Sequence, residues 1–134
     1  MIKMELARII IDEKRQDQVI VLKEKDGERH LPIVIGFMEA SSIKIKLTGM
    51  EVPRPMTHDL VIRIIESFGG QLERVIIDNL VNNTFHAKLE LKTKEGEAKF
   101  IDARPSDSIA LAVRSKIPIF VADIVLEKSA MTNQ

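Results

Sequence analysis

The chain has 134 residues, 20 basic against 20 acidic, with 45% apolar residues and no cysteine, tryptophan or tyrosine. That length suits a single domain able to bury about 68% of its unfolded surface, and the apolar share is too high for a disordered chain. Balanced charge argues against a duplex-coating protein, whose affinity rests on a basic excess, and the missing cysteines exclude disulfides and thiolate metal sites.

No apolar run approaches the ~18 residues that span a bilayer, and "MIKMELARIIIDEK" meets charge too early for a secretory core. A cytoplasmic location is therefore expected, with no membrane partner. An extended base-stacking platform is not expected, because phenylalanine supplies all five aromatic residues.

In chain order, a β-branched run at residues 5–11 opens the fold, followed by a strand that reaches a turn at Asp26-Gly27. Asp-Gly between apolar runs signals a hairpin, since glycine accepts positive φ. "LPIVIG" is the third strand. Ala40, Ile43, Leu47 and Met50 then fall at helical spacing, although "IKIKL" also alternates as a strand would. Leu60, Val61, Ile64, Ile65 and Phe68 mark a helix over about 58–68 that stops at Gly69-Gly70.

The pattern then recurs. "ELARIIID" from Glu5 is answered by "QLERVIID" from Gln71, 66 residues on, and "VLKEKDGE" from Val21 by "ELKTKEGE" from Glu90, 69 on. Ser42-Ile43 is answered by Ser108-Ile109. A third strand "AKFIDA" and a helix from "PSDS" complete the second set, and "IPIFVADIVL" adds a short strand and a last turn. The expected fold is α+β: duplicated βββα units, about 4–50 and 71–117, with mostly antiparallel strands packed on helices. One domain over 1–126 is expected, with a polar tail over 127–134.

Polar residues concentrate at the helix starts. In "PRPMTHDL", Pro53 and Pro55 disfavour helix before them. Thr57 is a candidate cap, and Asp59 suits the first turn of the helix dipole. Arg54 and His58 need a further reason; a histidine near a helix N-terminus suits a neutral base or a ligand. In "DARPSDSIALA", Ser106 reads as the cap, Pro105 as the residue before it, and Asp107 as a first-turn acid. Asp102 ends an apolar strand, where a carboxylate calls for a partner, and Arg104 is the nearest cation. Glu39 opens the first helix after Gly36. If Glu39, Asp59, Asp102 and Asp107 converged, they would suit a hard divalent cation such as Mg²⁺ or Mn²⁺. His86, in "NNTFHA", reads as a surface strand residue.

The order "IGFMEA", "PRPMTHDL", "NNTFHA", "DARPSDSIALA", "IPIFV" resembles the bifunctional nuclease domain family over about residues 5–125. The two Arg-Pro motifs at this spacing are specific only together. The resemblance implies a duplicated α+β fold and a nuclease acting on both DNA and RNA. The positions matching its motifs are Gly36, Glu39, Arg54, Pro55, Thr57, His58, Asp59, Asp102, Arg104, Pro105, Ser106 and Asp107. Two side positions depart from it: His86 stands where tyrosine is frequent, and Ser108 where alanine is.

The expected activity is phosphodiester hydrolysis with little sequence preference. His58 is the candidate general acid or base, and Glu39, Asp59, Asp102 and Asp107 are the candidate catalytic or metal-holding acids. Arg54 and Arg104 are candidate phosphate clamps, with Thr57 and Ser106 as further substrate contacts. The alternative is a non-catalytic binding or regulatory domain that offers the same polar surface to a protein partner or to a second copy as a homodimer.

Overall fold

A computed structural model describes residues 1–12, 14, 15 and 17–132. Strands β1 (Ile2–Ile10), β2 (Asp17–Glu24) and β3 (His30–Gly36) form an antiparallel meander, and α1 (Phe37–Leu47) follows. After α2 (Thr57–Ser67), strands β4 (Gln71–Val81), β5 (Thr84–Lys92) and β6 (Ala98–Ala103) form a second meander, and α3 (Pro105–Ser115) follows it. The short β7 (Ile119–Val121) lies between the two meanders, antiparallel to β1 and parallel to β4. The result is one mixed sheet in the order β3-β2-β1-β7-β4-β5-β6. The fold class is thus α+β, and among the described residues no helix is long and apolar enough to cross a membrane.

Period-two patterning explains the strands. Leu31, Ile33 and Ile35 are buried while Pro32 and Val34 between them are exposed. Register pairs Leu22 with Leu31 and Ile20 with Ile33, so one face of the first meander is a continuous apolar layer. In β4, Val75, Ile76 and Ile77 are buried in succession, as a strand covered on both faces requires. Both β1 and β4 carry a bulge two residues into the matching motif, between Leu6 and Arg8 and between Leu72 and Arg74.

α3 is the central helix, with α1 and α2 packed on it. Its Ser106, Ser108, Ala110 and Ala112 are buried beside Ile109 and Leu111, and these small side chains admit neighbours closely. α2 lies at the periphery and buries no residue fully. Val61 and Ile62 pack toward the core, whereas Leu60, Ile64 and Phe68, expected on the same face, point outward. Gly69, at φ +79°, ends α2. The helix expected from Ala40, Ile43, Leu47 and Met50 forms as α1, with Ala40 and Ile43 buried, whereas Leu47 and Met50 are exposed and Met50 lies beyond its end; the alternation in "IKIKL" makes no strand.

The last helix, α4 (Asp123–Thr132), buries Val125, Leu126 and Ser129 and packs on β4. Residues 127–132, expected as a polar tail, are therefore helical, and positions 133 and 134 of that tail lie outside the described residues.

Candidate functional site

Two helix starts differ from their expected form, and the difference builds the site. At α3 the N-cap is Arg104, not Ser106, and Pro105 occupies the first helical position, where its fixed φ suits the helix. Ser106 is instead the second residue of the helix and is buried. This shift puts Asp107 three residues beyond Arg104 on one face. Arg104 Nε donates to Asp107 Oδ2 at 2.9 Å and its terminal nitrogen to Oδ1 at 3.1 Å, a bidentate pair. At α2 the N-cap is Met56, not Thr57, which is exposed. Asp59 Oδ2 accepts the Met56 N–H at 2.9 Å, leaving His58 on the side facing α3.

His58 Nε2 lies 2.9 Å from Asp107 Oδ1, joining α2 to α3. Arg104 also reaches Glu39 Oε1 in the first turn of α1 at 3.5 Å. The starts of three helices are thereby linked as Glu39–Arg104–Asp107–His58. The His58 side chain is 12% exposed, whereas that of Arg104 is 64% exposed. Partial burial pushes the Asp107 carboxyl up, but hydrogen bonds from Arg104 and His58 outweigh it and hold the group below its ordinary value of 3.8. The same pairing raises Arg104 above its ordinary value. Gly36 keeps room for this chain of contacts, because a Cβ there would run into the Glu39 carboxylate.

Arg104 stands where two hollows meet. One, of about 600 Å³, is lined by Gly36, Glu39, Asn83, Phe85 and Ser106 among others. The second, of about 380 Å³, is lined by Thr84, Phe85, His86, Asp102 and Asp107. Arg104, Thr84 and Phe85 belong to both, so the two hollows adjoin there as a groove in two parts. His86, read from the sequence as a surface residue, is exposed and also lines this groove, because β5–β6 register pairs Ala87 with Ala103 and so sets His86 beside Arg104. Only the cross-strand register carries that signal.

The expected Asp102–Arg104 pair does not form. Arg104 turns to Asp107 and Glu39, and Asp102 faces Lys88 across the ladder. β6 is an edge strand with Lys99, Phe100 and Ile101 exposed, so Asp102 sits in water and no burial cost calls for a partner.

Asp59 and Arg54 belong elsewhere. Asp59 Oδ1 accepts from Arg114 Nε at 3.0 Å, and the Arg114 side chain is only 3% exposed. Arg114 also donates to Ser42 Oγ at 3.0 Å and to the Ala110 carbonyl at 3.2 Å. Burial pushes Asp59 up, yet the Met56 N–H and the Arg114 guanidinium hold it below 3.8. The sequence reading passed over Arg114, whose one signal is a cation within an otherwise small and apolar helix, "SIALAVRS". Arg54 is exposed and lines a separate hollow of about 500 Å³ with Lys46, Asp59, Arg63 and Arg114.

The four acids expected to converge on a cation are thus divided. Glu39 and Asp107 are held by Arg104, Asp59 by Arg114, and Asp102 stands on the groove wall. Among the described residues no group of three or more histidine, aspartate or glutamate side chains could hold a metal ion. This donor set does not fit a divalent ion.

The family model of the bifunctional nuclease domain matches residues 20–134. An uncharacterized protein of Mycobacterium tuberculosis is 39% identical over 123 residues, 92% of this chain and 73% of that protein. Bifunctional nuclease 1 of Arabidopsis thaliana is 35% identical over 106 residues, 76% of this chain and 32% of that protein. Bifunctional nuclease 2 of Oryza sativa subsp. japonica is 34% identical over 115 residues, 83% of this chain and 35% of that protein. The chain spans about a third of the plant proteins. It belongs to the bifunctional nuclease domain family.

Proposed function

We propose that this bifunctional nuclease domain hydrolyses phosphodiester bonds of DNA and RNA, with little sequence preference, in the groove at Arg104. The carrying observation is the 2.9 Å contact between His58 and Asp107 beside an exposed arginine. It brings together an orienting carboxylate, an imidazole and a phosphate-binding cation from residues 49 positions apart.

In this reading Arg104 meets the phosphate oxygens, while Asp107 holds both Arg104 and the imidazole in place. Asp107 engages Nε2 of His58 and leaves Nδ1 for proton transfer; His58, 12% exposed, is outside the lining of both hollows and joins the groove through Asp107. Water attacks phosphorus, the bond to the leaving oxygen breaks, and His58 takes the water proton or supplies the one the leaving oxygen needs. Glu39, Asp102 and Ser106 line the groove and shape its approach. Phe85 and His86 offer rings in the groove lining, and stacking on a ring is tolerant of sequence, which supports weak sequence preference. The plant relatives' names support the activity for the family, and a chain without cysteine is compatible with a reducing cytoplasm.

The inferred internal duplication rests on two features. The βββα order recurs, and bulges fall at matching places in β1 and β4.

The test is cleavage of labelled DNA and RNA by highly purified His58→Ala and Asp102→Ala proteins. Undiminished activity in His58→Ala would remove the proposed site. One observation favours a non-catalytic binding domain: both Asp107 oxygens are engaged within the protein, as in a structural brace. On that reading the wild-type protein, freed of contaminating nucleases, cleaves nothing.

A further inference from the structure

We propose that the hollow bounded by Lys46, Arg54, Arg63 and Arg114 is a phosphate-binding station, separate from the groove at Arg104. The chain carries 20 bases and 20 acids, so a local excess of one sign must be matched by a deficit elsewhere. Here four cations meet two carboxylates, Asp59 and Glu66. Arg114 already engages Asp59. Lys46 acts on Asp59 through space, and among the described residues neither Arg54 nor Arg63 has an ion-pair or hydrogen-bond partner for its side chain.

The groove is charged the other way. Among the described residues its lining sets Asp17, Glu39, Asp102 and Asp107 against Arg104 as the one arginine or lysine. An anion approaching the protein is therefore held more favourably at the hollow than at the groove floor.

The geometry supports phosphate as the anion. Pro53 and Pro55 flank Arg54 and restrict its backbone, which reduces the freedom lost on binding. Arg63 is fixed on α2, on the face that also presents Asp59, Ile62 and Glu66. Lys46 comes from the last turn of α1. Guanidinium groups bind phosphate oxygens in a bidentate fork, so two unengaged arginines on different segments suit a phosphate group.

The source is either a free phosphate ion or a phosphate of a nucleic-acid strand. The strand is favoured by position: Asp59 borders this hollow while its neighbour His58 points to the groove partner Asp107. A strand crossing the start of α2 would thus touch both places. That choice of source rests on the nuclease reading, whereas the phosphate chemistry does not.

The test uses the whole chain, its Arg54→Ala/Arg63→Ala variant and its Arg104→Ala variant. The probes are fluorescent phosphorothioate oligothymidylates of 4 and 12 nucleotides, read by anisotropy across a NaCl series, and inorganic phosphate, read as a rise in melting temperature. The Arg54→Ala/Arg63→Ala protein should bind the 12-mer about tenfold more weakly. Its log-affinity against log-salt slope should be shallower by about 1.4, the loss of two single-strand phosphate contacts. Unchanged 12-mer affinity and slope, with an unchanged response to phosphate, would overturn the station. Suppose instead that no oligonucleotide binds the wild type, yet inorganic phosphate raises its melting temperature and not that of the double variant. The station then stands as a free-phosphate site and the nuclease reading fails. Oligonucleotide binding lost only in Arg104→Ala, with the same phosphate response in the wild type and the Arg54→Ala/Arg63→Ala protein, would leave the groove standing and end the station.

Discussion

His58 and Asp59 are neighbours in the first turn of α2, yet they serve ion-pair centres of opposite character. Asp59 closes on Arg114, whose side chain is 3% exposed and whose nitrogens find acceptors on Asp59, Ser42 and Ala110. His58 joins Asp107, whose other partner, Arg104, is 64% exposed at the junction of two hollows. A guanidinium satisfied inside the protein ties helices together and has little left for a ligand. Arg104, held by the Asp107 and Glu39 carboxylates yet open to water, keeps two of its five N–H donors for an incoming anion. The contrast teaches that burial of the arginine, more than the presence of an Arg–Asp pair, separates bracing from binding.

Substitutions can break that contrast. The largest expected effect is on activity: His58→Ala should lower the rate of nucleic-acid cleavage by about 10²–10⁴. Its stability should fall by only about 1 kcal/mol, since Asp107 keeps Arg104. A rate within threefold of wild type would show that the open centre is not the reacting one.

At the closed centre the loss should appear in stability. Arg114→Met should cost about 3 kcal/mol by urea denaturation, because it strands the Asp59 carboxylate and the Ser42 hydroxyl. Adding Asp59→Asn should restore part of that loss, as a double-mutant cycle would read. A cost under about 1 kcal/mol would remove the bracing role.

Acid sharpens the comparison further. Asp59 and Asp107 both titrate below 3.8 when folded. Their stabilisation is therefore complete above that ordinary value and is lost as pH falls through the lowered folded values. The fall in stability from pH 7 to pH 3 should be smaller in Asp59→Asn than in wild type, measured by urea titration at each pH. An equal fall would show that neither the Met56 N–H nor Arg114 favours the ionised Asp59.

The smallest expected effect is Asp102→Asn, within about 0.5 kcal/mol of wild-type stability, because the side chain is exposed on an edge strand. A drop above about 1 kcal/mol would reveal a structural partner, and an unchanged cleavage rate would remove Asp102 from the catalytic reading.

Much of the architecture was legible in local signals. β6 falls on "AKFIDA", α2 ends at Gly69-Gly70, and the first hairpin turns at Asp26-Gly27, although Gly27 does not take the positive φ expected of it, whereas Gly69 and Gly96 do. The helix starts were legible only to within two residues. Ser106 and Thr57 are good capping types, but Arg104 and Met56 take the cap, with Pro105 preset for the first helical position and Asp59 answering the Met56 N–H. That error concealed the Arg104–Asp107 pair, which lies at helical spacing once the cap is placed correctly. His86 and Arg114 were missed for a different reason: one depends on cross-strand register and the other on which helix covers it.

The amino-acid order alone determined the strands, the turns, the helix-start motifs and the family, because each rests on neighbours along the chain. Tertiary structure alone decided which cation meets which acid. The deciding contacts join residues 49, 55 and 72 positions apart, and ion pairing responds to a few ångströms of space and the burial around it. So the nearest cation in sequence to Asp102 turned to Asp107, and two adjacent residues of α2 were assigned to different sites.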